Sequence, residues 1–253
     1  MRAAIRRIIY GKLAVSYTAD FLLFNKIRAV FLFKVKSFRI MDSNSNYKNR
    51  ALASLRGKWD KAALVAFLYS IIASFTNSPS YLFSFGASGE THWASWWSLL
   101  LYLAILPLGW GLWVYYLYFV RNEYLGMERL FDGYRAFKRI MLTKLLVAVY
   151  TFLWALLLII PGIVKFYSYS MTDYILRDDP MLEYDAAIRR SMEMMEGHKM
   201  DLFGLHLSFI GWFFLSLLTC GLGFILLIPY FLTAQAHFYE DLKAEYEQRT
   251  TVQ

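Results

Sequence analysis

Residues 202–239 constrain the fold more than any other stretch, because these 38 consecutive residues contain no Asp, Glu, Lys or Arg. As one helix the run is about 57 Å long at roughly 1.5 Å per residue. The hydrocarbon core of a bilayer is only about 30 Å thick. The run is therefore expected to cross twice, turning at Cys220, Gly221, Leu222 and Gly223. With 58% hydrophobic, 19% aromatic and 18% charged residues, the 253-residue chain holds more apolar material than one soluble core would bury. The fold class this predicts is all-α: a polytopic transmembrane helical bundle of about six spans in three hairpins, with a cytoplasmic amphipathic helix.

The formal charge of +8 is local. Residues 1–40 carry nine basic residues (Arg2, Arg6, Arg7, Lys12, Lys26, Arg28, Lys34, Lys36 and Arg39) against Asp20, and the remainder is balanced. Nothing in this distribution argues for nucleic acid. The segment lacks both a small-residue cleavage site and a long apolar stretch, so it makes a poor secretory signal. Two readings stand: an interfacial amphipathic anchor, or an extension outside the native protein, whose start is then Met41 with its polar MDSNSNYKNR. Residues 41–242 form the expected membrane domain and 243–253 a cytoplasmic tail. Cys220 is the only cysteine, which excludes an intrachain disulfide and multi-cysteine metal sites.

Loop charge orients the spans. A first span over 62–75, extending towards 83, follows the basic NRALASLRGKW, which ends in a tryptophan suited to the membrane interface. Residues 76–95 contain no Lys or Arg and lead into Trp93, Trp96 and Trp97, an aromatic belt that opens the second span. Arg121 stops that span. Arg121, Arg129, Arg135, Lys138, Arg139 and Lys144 then make 121–144 cytoplasmic by the positive-inside rule. Residues 142–176 would be about 52 Å long as one helix, again too much for a single crossing. Two short passes turning near Pro161 and Gly162 return Arg177, Arg189, Arg190 and Lys199 to the cytoplasm, whereas one long kinked helix would put them outside. The Cys220 turn is then outside and both termini are cytoplasmic.

Between these passes, RDDPMLEYDAAIRRSMEMMEGHK predicts an amphipathic helix over 180–196. Asp179 is placed to N-cap it, Pro180 suits the first helical position and Gly197 the stop. Met181, Tyr184, Ile188, Met192 and Met195 share one face, and Asp185, Arg189 and Glu193 the other. Such a helix either docks a protein partner through adaptable methionines or packs beneath the bundle and lies in the headgroups. Leu106-Pro107, Ile160-Pro161 and Ile228-Pro229 each precede an aromatic-rich stretch, a rhythm that three hairpins would give.

Four stretches in order, ALASLRGKW (51–59), IPGIVKFYSYSMTDYIL (160–176), GHKMDLFGLHLSFIGW (197–212) and LTCGLGFILLIPYFLTAQAHFYEDL (218–242), resemble the bacterial integral membrane family catalogued as domain of unknown function 975. The resemblance covers residues 41–242 and leaves 1–40 outside. It implies a multi-pass protein of the bacterial cytoplasmic (inner) membrane. It brings no established activity, so no catalytic residue is carried over. A fainter similarity, to membrane domains attached to some glycerophosphodiester phosphodiesterases, implies lipid-related work.

The motifs of catalysis are missing from the sequence. His92, His198, His206 and His237 form no HExxH pattern, and there is no Walker-type loop or GxSxG elbow. The expectation is no enzyme, no cofactor and no metal. Lys165, Ser168, Tyr169, Thr172 and Asp173 fall on one side of a helix, with His206 and Gln235 inside the last two spans, as a candidate intramembrane polar stripe. Such a stripe either lines a solute pathway or consists of interface charges and hydroxyls bonded to carbonyls freed by Pro161. Asp173 is expected within reach of His198 or Lys199. Gly204 and Ser208 mark a close helix contact, with His206 on the opposite side. The expected function is a non-catalytic structural or accessory envelope factor whose partner is the lipid bilayer. The rival is a permease or channel for a small or amphipathic solute, framed by broken helices at Pro161 and Pro229.

Overall fold

The computed structural model describes residues 41–77, 92–219 and 221–251. Residues 1–40, 78–91, 220, 252 and 253 lie outside the described residues, and with them the expected extension of the first span towards 83. Among those described, every regular element is helical. Helix α1 (Asn44–Leu55) is capped by the Ser43 side chain, which accepts from the Asn46 N–H. Helices α2 (Trp59–Asn77) and α3 (His92–Arg121) follow, then a short 3-10 helix (Met127–Phe131) and the single turn α4 (Asp132–Arg135). Next come α5 (Phe137–Leu157), α6 (Ile159–Tyr169), α7 (Thr172–Asp178) and α8 (Tyr184–Met194). Helices α9 (Lys199–Leu207), α10 (Ile210–Leu218) and α11 (Phe224–Thr251) complete the chain.

The break in the 142–176 run falls at Leu158, three residues before the predicted Pro161-Gly162 turn. Leu158 is extended (φ −160°, ψ 141°), ending α5 and preceding α6. Its N–H donates to Trp154 O and its carbonyl accepts from Gly162 N–H, so the turn keeps its own polar groups bonded. Pro161 is the third residue of α6, where a missing N–H costs little because the first turn has no intrahelical acceptor. Gly162 permits contact rather than bending: a Cβ there would sit 2.7 Å from the Ala155 Cα across the hairpin. Gly223 meets Ser216 in the same way, at the same 2.7 Å. Two antiparallel helices, α5 and α6, therefore form, and the single long kinked helix does not. Pro229 breaks nothing, since α11 runs through it without interruption.

Three helical stretches, not six, are long and apolar enough to cross a membrane among the described residues: Leu103–Arg121, Phe137–Leu157 and Lys199–Leu218. Two of the other expected spans are cut short. Helix α6 stops after 11 residues at the Ser170–Met171 step, and α11 spends its second half on Glu240, Asp241, Lys243 and Glu245. The helix runs on through 243–251 without interruption. The stretch Leu103–Arg121 is 61% buried in the protein, whereas Phe137–Leu157 is 11% and Lys199–Leu218 22% buried. Helix α3 is thus the core, and α5 with α9 and α10 turn apolar surface outward.

That core is aromatic. Tyr115, Tyr116, Tyr118 and Phe119 of α3 are fully buried, and Tyr174 of α7 stacks on Tyr239 of α11 with ring centroids 4.7 Å apart. Helix α8 begins at Tyr184 after Glu183, so Asp179 does not cap it; Asp179 accepts from Met181 N–H and from Arg190 instead. Met181 is 91% exposed and leaves the predicted apolar face, whereas Ala187, Ile188, Met194 and Met195 are buried against the bundle. Gly197 stops the segment at φ +87°, in the left-handed region that favours glycine. Asp185 and Arg189 pair on the outer face at 3.0 Å.

Candidate functional site

The predicted polar stripe does not converge. Lys165 rests its Nζ 3.7 Å from the Met192 sulfur and over the Trp154 ring. Ser168 donates to the Val164 carbonyl within α6, and Thr172, the first residue of α7, donates back to the Tyr169 carbonyl that ends α6, local bonding that compensates a broken segment. The Ser168 carbonyl in turn accepts from Ser191 of α8, and the Tyr169 ring faces Tyr150. Asp173 pairs with Lys144 of α5 at 2.5 Å, not with His198 or Lys199, because α6 and α7 return along α5. Its carbonyl accepts from the Trp110 indole N–H.

His206 and Gln235 form a separate pair. Their side chains meet at 3.2 Å between α9 and α11, with the Tyr167 hydroxyl at 3.4 Å from the other imidazole nitrogen. Thr172 and Gln235 are closed off, at 3% and 2% exposure. His206 borders a cavity of about 420 Å³ whose walls are Trp113, Phe209, Phe213, Phe231 and neighbouring aliphatics. Gly204 lies against the Asn44 side chain of α1, so close contact at that position does form.

The densest polar cluster involves residues that the sequence reading used only as loop charges. Asp178, at the end of α7, accepts from both guanidinium N–H groups of Arg121, from the Lys243 ammonium and from the Tyr239 hydroxyl. Burial would raise this carboxyl, but the bonds from Arg121, Lys243 and Tyr239 outweigh it and hold the pKa at about 2. Arg121 also reaches Glu240 at 2.7 Å. Beside it, the Tyr118 ring lies between the guanidiniums of Arg129 and Arg177, each 5.1 Å from its centroid. Arg50 of α1 grips Asp241 with two bonds of 2.6 and 2.9 Å. A further group joins His198 to Asp201, Glu245 and Arg249. The available signal was the pairing of RDD at 177–179 with YED at 239–241.

Most of these contacts join opposite charges. Among the described residues no group of three or more His, Cys, Asp or Glu side chains is placed to hold a metal ion.

The family described as "Protein of unknown function (DUF975)" matches residues 41–168 and, again, 156–246. The chain belongs to this family. The matched residues take in all of the helices above except the end of α11, so the Arg121–Asp178–Lys243 cluster and the polar stripe both fall on the DUF975 region. No curated protein and no solved structure matches the chain.

Proposed function

We propose that this DUF975 protein is a non-catalytic integral protein of the bacterial cytoplasmic membrane, acting as a structural or accessory factor of the envelope with both termini cytoplasmic. The observation that carries the reading is the division of the polar stripe: Thr172 is enclosed and bonded across the step to the end of α6, Asp173 is neutralised by Lys144, and His206 with Gln235 lies elsewhere. A solute pathway needs such groups in one wet channel. Here each is used to hold two helices together. The outward apolar surface of α5, α9 and α10 supports the bilayer as the principal partner. Burial of the apolar face of α8 favours packing beneath the bundle over protein docking at 180–196.

Transport is the second reading, favoured by the His206-lined cavity of about 420 Å³. Lipid profiling of a deletion strain alongside uptake profiling of small solutes tests the choice. The accessory reading expects altered envelope lipids or stability with uptake unchanged. Loss of uptake of one solute class, reproduced by His206→Ala in a stably folded protein, would reject it in favour of transport.

A further inference from the structure

We infer that the α5–α6 and α10–α11 hairpins do not cross the bilayer but dip from the cytoplasmic side into about one leaflet, their partner being its acyl chains. The inference rests on the membrane reading above and deepens it.

The depth follows from where charge begins. Lys165 is six residues from the start of α6, about 9 Å along the helix. Its ammonium lies against Met192 of α8, a helix whose outer face carries Arg189, Asp185 and Glu193. Ser191 of the same helix bonds the Ser168 carbonyl, fixing α8 beside 165–171. Hydrocarbon contact on α6 is therefore confined to roughly 10 Å. The second hairpin is bounded in the same way. Lys48 of α1 donates to the Ser208 carbonyl at 2.6 Å, and Ser208 is only about 15 Å along the helix from Leu218. On the other arm, Trp59, Trp212 and Tyr230 share the wall of a second cavity, with exposed Asp60 and Lys61 next in sequence. Tyr230 is seven residues, about 10 Å, from Gly223. Tryptophan and tyrosine favour the headgroup boundary. Measured on α6, α10 and α11, the hairpins thus project about 10–15 Å beyond the charged elements, and on α5 the charge nearest the tip, Lys144, is about 21 Å from Leu158, all short of the about 30 Å of a full hydrocarbon core.

The tips suit hydrocarbon and not water. Leu156, Leu157, Leu158, Ile159 and Ile160 are 63–76% exposed in one contiguous run, and Leu218 and Leu222 are 81% and 70% exposed. An outer loop would place these aliphatic groups in water. Their turns are also bonded internally, as non-helical backbone in hydrocarbon must be: Leu158 bonds both ways, Gly221 donates to Ser216 O, and Gly223 donates to the Thr219 hydroxyl.

The test uses single cysteines at Leu158 and Leu222 in a Cys220→Ala background, labelled with an impermeant maleimide in intact cells and in inside-out vesicles. Both thiols should resist labelling from either face and react after denaturation in detergent. Nitroxides at the same positions, in reconstituted vesicles, should be relaxed by oxygen and shielded from a water-soluble nickel complex. Labelling from the outer face of intact cells would overturn the inference while leaving the membrane reading intact. Shielding from oxygen as well as nickel would mean that protein covers the tips, and would also overturn it. Extraction of the protein by carbonate without detergent, with both thiols reactive in the supernatant, would overturn the membrane reading itself.

Discussion

Arg121 and Asp178 face each other in a two-pronged ion pair, Nη1 to Oδ1 at 2.6 Å and Nη2 to Oδ2 at 2.7 Å, that ties the end of the core helix α3 to the end of α7. The Asp178 side chain is only 11% exposed, and Lys243 of α11 closes on the same carboxylate from the other side at 2.7 Å. A planar guanidinium matches a carboxylate in this fashion and an ammonium does not, so Arg121→Lys is not a conservative change.

Replacing Asp178 with Asn leaves Arg121 and Lys243 without their shared anion and is expected to cost roughly 3 kcal/mol. The folded carboxyl titrates near 2, below its ordinary 3.8, so its contribution is complete above about pH 4 and disappears as pH falls through 2. The shift corresponds to roughly 2 kcal/mol. Melting of the detergent-solubilised protein between pH 5 and 2 should decline in the wild type, with the Asp178→Asn variant losing less over that interval. Equal slopes would remove Asp178 from the account.

Gly162→Val places a branched side chain where a single Cβ already lies 2.7 Å from the Ala155 Cα. Overpacking of this kind costs about 1–3 kcal/mol. The melting temperature should fall, and Ala155→Gly in the same chain should restore part of it. Gly223→Val, against Ser216, should behave alike.

Asp173→Ala leaves the Lys144 ammonium, whose side chain is 25% exposed, without its 2.5 Å partner. Folded yield should drop more than for Asp173→Asn, which keeps the shape and an acceptor. Lys144→Met should relieve the Ala variant. Under the transport reading, Asp173→Asn would keep yield and melting but abolish a solute-dependent phenotype, and that outcome would reverse the proposed function.

Cysteines at Arg135 and Arg189, exposed by 80% and 65% at their side chains, report the cytoplasmic face when Cys220 is replaced. An impermeant reagent should label both in inside-out vesicles and neither in intact cells. Reaction at Arg189→Cys in intact cells would invert the proposed orientation.

Hydropathy and charge read well along this chain because they report what each helix can bury. The all-helical class and the return of the chain before Arg177 were legible on that ground. The number of crossings was not. An uncharged run records which residues tolerate hydrocarbon, but Lys165 beneath α8 and Ser208 beside Lys48 depend on neighbours distant in sequence. The same limit applies to the stripe. A helical wheel put Lys165 and Asp173 on one side of a continuous helix, whereas the step at Ser170–Met171 separates them and the antiparallel partner supplies Lys144. Asp178 read as a loop charge because its three donors come from positions 121, 239 and 243.

The Arg121–Asp178–Lys243 cluster also bears on biogenesis. Its last cation is added 65 residues after the carboxylate, so a nascent chain carries Asp178 and Arg121 through that stretch of synthesis with the corner unfinished. The bundle can lock only when α11 emerges from the ribosome. A chain stalled before Lys243 should remain open to cytoplasmic protease at 177–183 and become resistant once α11 has been made, a change that pulse-labelling with timed proteolysis would register.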